Sequence, residues 1–457
     1  MIADLKPYAE YKESGQPWLG RVPKHWEVRR LKSAVSNIVE QATQMNSDDV
    51  YIALENVESW TGRVKPQKGV RLFTSQVKRF RSNDVLFGKL RPYLAKVTRL
   101  QRGGVCVGEL IVLRPRDQQM RPDYLEHQLR SRQLIDIINS STFGAKMPRA
   151  DWQFMGNLPI VFPPLPEQVE VARFLDWANG RLEGAIRAKQ KVIALLNEQK
   201  QAIIHRAVTR GLDPSVPLKA SGIPWLGDIP QHWEVLRSKY IYREVDDRSA
   251  AGEETHLSMS QRFGLIPSSQ IQEKRLVSES YAGAKLCEKG DLVLNRLKAH
   301  LGVFALARER GLVSPDYTVL RSARELDERY FEAVYRTPAC RVELRQRAKG
   351  IVQGFWRLYT DDFYDVRMPL PPVDEQRRIV AQLDVDLFAV STAISRLEKE
   401  TELLREYRTR LVADVVTGKF DVREAAARLP EDAPPDAADD EVDLIDETEG
   451  ADEEALV

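Results

Sequence analysis

Between residues 182 and 207 the apolar side chains recur at alternating steps of four and three. Leu182, Ile186, Ile193, Leu196, Ile203 and Ala207 fill six of eight such positions, and Lys189 and Lys200 fill the others. Adding 208 to each number reaches Val390, Ile394, Leu397, Thr401, Leu404, Arg408, Leu411 and Val415, again six apolar of eight. This spacing, sustained over about three to four heptads, draws one narrow stripe along a helix and predicts a coiled-coil seam. Pro166 and Asp374, each followed by Glu, suit helix starts; Gly211 and Gly418 suit stops. A helix of about 42 residues reaches roughly 60 Å. Two seams in one chain can bury each other, and antiparallel packing would set the blocks at their leading ends on opposite ends of a rod.

The offset is not confined to the helices. Lys12 to Lys32 and Lys219 to Lys239 share 14 identities in 21 positions, among them Trp18/Trp225, Gly20/Gly227, Pro23/Pro230, His25/His232 and Trp26/Trp233. Pro163-Pro164 with Glu167-Gln168 recurs as Pro371-Pro372 with Glu375-Gln376. Between these constant passages lie two divergent blocks, in which short strand-like runs such as Asp84-Val-Leu-Phe-Gly are broken by Gly, Asn and Pro, the pattern of a mixed α/β domain. Asp84 to Arg91 still aligns without a gap on Asp291 to Lys298, so the blocks are expected to share a fold while differing in exposed residues. A constant frame with varied inserts suits two different surfaces held in one geometry.

Composition sharpens this picture. The 457 residues exceed one ordinary core, and 43% hydrophobic with 30% charged content is that of a soluble globular chain. The formal charge of +1 hides an asymmetry: from Leu429 onward there are 13 acidic and no basic residues, leaving 68 basic against 54 acidic groups in the body. The tail is expected to be disordered, either as a solvated appendage or as a competitor with polyanions for the basic body. No apolar run approaches 18 residues and the first residues lack a basic-then-apolar pattern, so the expected location is the cytoplasm, away from any membrane. Cys106, Cys287 and Cys340 lack paired spacing and read as buried, reduced thiols.

Catalytic motifs do not emerge. There is no G-x-x-x-x-G-K-[ST], no G-x-G-x-x-G after a strand and no H-E-x-x-H; the six histidines are scattered, without metal spacing to cysteine. The Pro-Pro pairs follow Phe162 and Leu370 and so lack the segment that seats a target base in an amino-methyltransferase. Pro122-Asp123 and Pro315-Asp316 lack a nearby acidic-x-Lys pair and read as turns. The duplicated Trp motif is expected to dock on the helices. Glu167, Gln168, Glu375 and Gln376 read either as first-turn capping or as a partner-binding surface.

The motif S-G-x-P-W-L-G-x-[IV]-P-x-H-W-E-V joined to P-P-x-x-E-Q, each present twice around divergent blocks, resembles the specificity subunit of type I restriction–modification systems. The resemblance covers roughly Tyr11 to Val422 and omits the acidic tail. It implies an α+β chain: an arm and Trp motif (1–32), a first target recognition domain (33–158), a central conserved region with the first long helix (159–213), the repeated motif (214–239), a second recognition domain (240–366), a distal conserved region (367–422) and an acidic tail (423–457). By the same resemblance, each domain reads half of an asymmetric, interrupted duplex DNA site. The two antiparallel helices set the gap and form the platform for two methyltransferase subunits, which bind S-adenosylmethionine, while separate restriction/translocase subunits use ATP and Mg. The chain itself would supply no catalytic group and no cofactor. A methylation-only assembly, or a coiled-coil adaptor whose domains bind proteins, are the competing readings.

DNA binding requires cations for phosphates, and Arg, Lys, Asn or Gln for base edges. In the first block the candidates are Lys78, Arg79, Arg81, Lys89, Arg91, Tyr93, Lys146 and Arg149. In the second they are Lys274, Arg275, Arg296, Lys298, His300, Gln353 and Arg357.

Overall fold

The computed structural model describes residues 5–430 except 47, 66–76, 117–118, 143–146, 261–262, 271–280, 302 and 351–355, and leaves the side chains of 299–301 aside. Both apolar stripes lie in long helices, Leu165–Arg210 of 46 residues and Val373–Val416 of 44. Each starts one residue before the expected position, within the ordinary fraying of a first turn. All sixteen stripe positions are buried or half-buried. Gly211 and Gly418 follow the helices with φ of +72° and +77°, the left-handed conformation that ends a helix without steric cost only at glycine.

Two compact units share the chain. One comprises residues up to Lys189 and from Lys399 on, the other Gln190–Glu398, so each long helix contributes a segment to both. The first unit holds an antiparallel sheet in the order Val35–Ile38, Leu110–Pro115, Val85–Gly88, Val97–Arg99. Val85 to Gly88 is buried on both faces. Leu86 joins a cluster with Ile52, Phe80 and Val112, while Val85 and Phe87 join the main core with Leu134, Phe174, Leu175 and Val415. That alternation follows from the pleat, which sends successive side chains to opposite faces. A second sheet runs Gln41–Ala42, Val77–Phe80, Gly104–Cys106, Val50–Ile52, its last pairing parallel.

In the second unit the antiparallel sheet runs Tyr242–Val245, Tyr317–Ser322, Leu292–Asn295, Phe304–Leu306. Leu320 pairs with Leu292 as Leu113 pairs with Val85, and Val319 with Val245 as Val112 with Ile38, every number shifted by 207. Its core gathers Phe304, Phe331, Tyr335 and Met368 against Ala207, Val208, Ile379 and Leu383 of the long helices. In place of the second sheet, Leu257–Ser260 pairs with Gly264–Pro267 and Lys285–Cys287 with Gly311–Val313, joined by single bridges from Arg248 to Lys285 and, in parallel, from His256 to Leu312.

One polar device holds both sheets. Asp84, 2% exposed, accepts from Arg114 Nε at 2.7 Å and Nη2 at 2.6 Å and from the Arg81 backbone N–H at 2.7 Å. Asp291 does the same with Arg321 at 2.8 Å twice and the Glu288 N–H at 2.8 Å. A buried carboxylate with three donors closes the turn before its strand and clips that strand to its neighbour. Asp84→Ala is expected to lower stability by about 2–4 kcal/mol, since the partly exposed Arg114 recovers some hydration while the turn N–H loses its acceptor. Urea unfolding of the variant, with Arg114→Ala and the double substitution completing the cycle, measures this.

Candidate nucleic-acid interface

Several predicted contacts are occupied within the fold. Lys78 Nζ donates to Leu110 O at 2.8 Å and Gly108 O at 3.3 Å, and burial, then the Lys89 charge, lowers its pKa. Lys285, 207 residues on, bonds Tyr317 O at 3.0 Å in the same way. Arg79 holds Asp49 Oδ2 at 2.8 Å and Gln44 O at 2.9 Å. Lys78 and Arg79 thus fasten the sheet with partners inside the fold. Their strand runs between two others, so the side chains find carbonyls and a carboxylate before they reach solvent. Arg81, at the strand's end, is exposed. Lys146, Lys274, Arg275 and Gln353 lie outside the described residues, as does the side chain of His300.

The expected partner surface also lies inside. Glu167, 7% exposed, accepts from Trp26 Nε1 at 2.8 Å and Tyr8 Oη at 3.3 Å and lies 2.6 Å from His25 Nε2. Gln168, fully buried, accepts from the Arg121 N–H and donates to Pro163 O and Gln119 O. Gln376 repeats this with the Asp327 N–H and Pro371 O, and Glu375 lies 2.7 Å from His232 Nε2. These four side chains lock the duplicated Trp motif and the preceding loops onto the helix starts.

The remaining candidates converge. After strand Val85–Gly88 the chain makes one tight turn, Pro92–Leu94, bracketed by Arg91 and Ala95 with φ of 50° and 47°. Two non-glycine residues in the left-handed region cost of order 1–3 kcal/mol each and persist only where the surroundings impose them. Here Arg91 N–H bonds Pro148 O at 2.8 Å and Ala150 N–H bonds Lys89 O at 2.8 Å, stitching the loop to a second segment. Lys89 and Arg149 both approach Glu109, at 4.0 and 3.3 Å, and Tyr93 and Met147 are exposed beside them.

The second unit builds the same arrangement from different side chains. Arg296 bonds Asp316 O at 3.0 Å and Pro315 O at 3.2 Å, and Arg357 Nη2 bonds Asp316 Oδ1 at 2.8 Å. Lys89, Arg91, Glu109 and Arg149 thus correspond to Arg296, Lys298, Asp316 and Arg357 by shifts of 207 or 208. In the first unit Lys89 and Arg149 approach the Glu109 carboxylate, and in the second Arg357 pairs with the Asp316 carboxylate while Arg296 holds the same residue by its backbone O. The central carboxylates were missed: the signal was their shared offset, and Pro315-Asp316 had been set aside as a turn.

Such a surface can bind anions but performs no covalent chemistry. Among the described residues no group of three or more His, Cys, Asp or Glu could hold a metal, and no helix is long and apolar enough to cross a membrane. The three cysteines are free and buried, and burial pushes the Cys106 and Cys287 thiols up to about 12, far from a working nucleophile.

Residues 23–189 match the family model of the type I restriction modification DNA specificity domain. In that domain, and over most of its length, the chain is similar to proteins named as specificity subunits of type I restriction enzymes. Two Methanocaldococcus jannaschii proteins are similar over most of their length. One, provisionally named the MjaX specificity subunit of a type I restriction enzyme, is 24% identical over 90% of this chain and 98% of its own. The other, the MjaVIII specificity subunit, is 22% identical over 88% and 95%. A structure solved in work on complex assembly and conformational transition of the type I R-M system superposes with a TM-score of 0.62 over 86% of this chain and 98% of that one. At 20% identity this last likeness speaks for the fold.

The division between fasteners and surface cations is testable without DNA. Arg79→Ala should lower unfolding stability by about 1–2 kcal/mol, whereas Arg81→Ala should stay within about 0.5 kcal/mol, measured by thermal or urea unfolding.

Proposed function

We propose that this chain reads an asymmetric, two-part duplex DNA site, one half through residues 33–158 and the other through 240–366, and carries two adenine methyltransferase subunits on its conserved regions. The observation that supports it best is the repeated arrangement of two cations at one acidic residue, Lys89 and Arg149 at Glu109 and Arg296 and Arg357 at Asp316, set on loops of equal register but different sequence. Such a cluster keeps net positive charge for phosphates, while the carboxylate holds the guanidinium planes in fixed directions, as base reading requires. In the first domain the exposed Tyr93 and Met147 add apolar contact. The two domains are therefore suited to different sequences.

The long helices are the spacer in this reading. In the first unit Glu183 pairs with Arg408 and Lys189 with Glu400; in the second Lys200 meets Ser391. Rising numbers on one helix meet falling numbers on the other, the signature of an antiparallel coiled coil along the predicted seam. The methyltransferase subunits would bring S-adenosylmethionine, and restriction/translocase subunits would bring ATP and Mg; no step of either reaction falls to this chain.

Mapping methylated adenines in cells that express the chain with its partner subunits tests the proposal. A bipartite motif with a constant gap is expected. Lys89→Ala with Arg149→Ala should relax one half of the motif, and Arg296→Ala with Arg357→Ala the other, each lost base contact costing about 1–3 kcal/mol. If either pair weakens both halves equally, the clusters are phosphate contacts or surface, and the assignment of one half-site to each domain fails.

A further inference from the structure

The last described residues lie against the first long helix. Arg173 Nη2 donates to both Leu429 O at 3.0 Å and Pro430 O at 2.8 Å, and Leu429 is buried. One and two helical turns earlier, about 6 and 12 Å along the same face, Val169 and Leu165 are exposed apolar residues, at 41% and 38%. With Met120 they line a cleft of about 720 Å³ whose other walls include Arg81, Arg114 and Arg121. Arg114 and Arg121 pair with Asp84 and Asp123, but no carboxylate reaches the Arg81 side chain among the described residues. An apolar patch edged by arginines fits a segment that mixes acidic and branched apolar side chains.

The chain carries such a segment close by. Twenty-seven residues follow Pro430, and Glu441-Val-Asp-Leu-Ile-Asp-Glu447 sets three branched apolar side chains among four acids. Ten residues lie between Pro430 and Glu441, eleven chain steps that reach up to about 36 Å when extended, so the cleft beside the exit is within range without strain. Tethering raises the effective concentration of the segment to the millimolar range, so weak intrinsic affinity suffices to fill the cleft.

We propose that residues 441–447 dock in the cleft formed by Arg81, Arg121, Leu165 and Val169, where the acidic segment occupies the arginines in the absence of DNA. The docking stands apart from the recognition reading. Its consequence rests on that reading: duplex phosphates approaching Arg81 must displace the tail.

The test uses the full chain, without DNA, bearing the photo-crosslinking amino acid benzoylphenylalanine in place of Thr448. Mass spectrometry should find crosslinks concentrated in 81–84, 119–122 and 165–169. The yield should fall about tenfold or more when Glu441→Gln, Asp443→Asn, Asp446→Asn and Glu447→Gln neutralise the segment, a change that leaves the folded body untouched, and also in Arg81→Glu/Arg121→Glu. Crosslinks spread over residues 190–398, crosslinks only between molecules, or a yield unchanged by neutralisation would each overturn the docking. In a separate arm, truncation after Pro430 should tighten binding to a random duplex about threefold or more at ~50 mM salt and have little effect at ~300 mM. Equal affinity at low salt overturns the competition. Absence of duplex binding by either chain, with crosslinks still in the cleft, sinks the recognition reading and leaves the docking intact.

Discussion

The architecture depends on a carboxylate in the first turn of each long helix that must find its donors far away in the chain. Glu167 is buried, so its charge is tolerable only because His25, Trp26 and Tyr8 converge on it. Those donors belong to the duplicated Trp motif and the arm before it, and the motif in turn packs on the end of the other long helix. A side chain at Gly418 would put its Cβ 2.4 Å from Pro23 Cδ and 3.0 Å from Trp26 Cζ3. One glycine thus serves two needs, a left-handed helix stop and the close approach of the indole. Helix start, Trp motif and helix end form one joint.

The second joint uses the same parts with different support. Gly211 approaches Trp233, and Glu375 lies beside His232. Here the helix end and the motif are joined by a short covalent stretch, Leu212 to Leu218. In the first joint the corresponding pieces are the two ends of the chain, with no bond between them. The structure supplies noncovalent ties in that place: the Asp421 N–H bonds Lys6 O at 2.8 Å, Tyr11 Oη bonds Lys419 O at 3.1 Å, and Arg423 lies over the Tyr8 ring and near Glu167. Tyr8 and Arg423 have no equivalents in the second joint because chain continuity already holds it.

This difference shows what was legible in the sequence. Identity between constant passages carried the Trp motif, the helix starts and the glycine stops, because these positions are selected by local geometry that leaves its residue type visible. The gapless alignment of Asp84 on Asp291 carried the shared strand register. Arg114 and Arg321, their partly exposed partners, went unnoticed, since a guanidinium that pairs with a buried carboxylate looks in sequence like any surface arginine. Lys78 hid its partners for the opposite reason. Its chain neighbours are basic, yet its strand is interior to the sheet, and sheet order is set by pairings some thirty residues away. The same applies to Glu167 and Gln168, whose acceptors and donors come from residues 8–26 and 119–121.

The conserved frame and the varied loops therefore answer to different energies. In the joint and the aspartate clip an unpaired buried group costs several kcal/mol, so both copies keep the Glu, His and Trp of the joint and the Asp–Arg pair of the clip. The loop clusters are exposed, where an ion pair is worth about 1 kcal/mol or less. Lys89 can become Arg296 and Glu109 can become Asp316 with little effect on folding. Position is held by the backbone stitches, from Ala150 N–H to Lys89 O and from Leu358 N–H to Arg296 O, which do not depend on side-chain identity. A surface built in this way can change its chemistry freely while keeping its geometry.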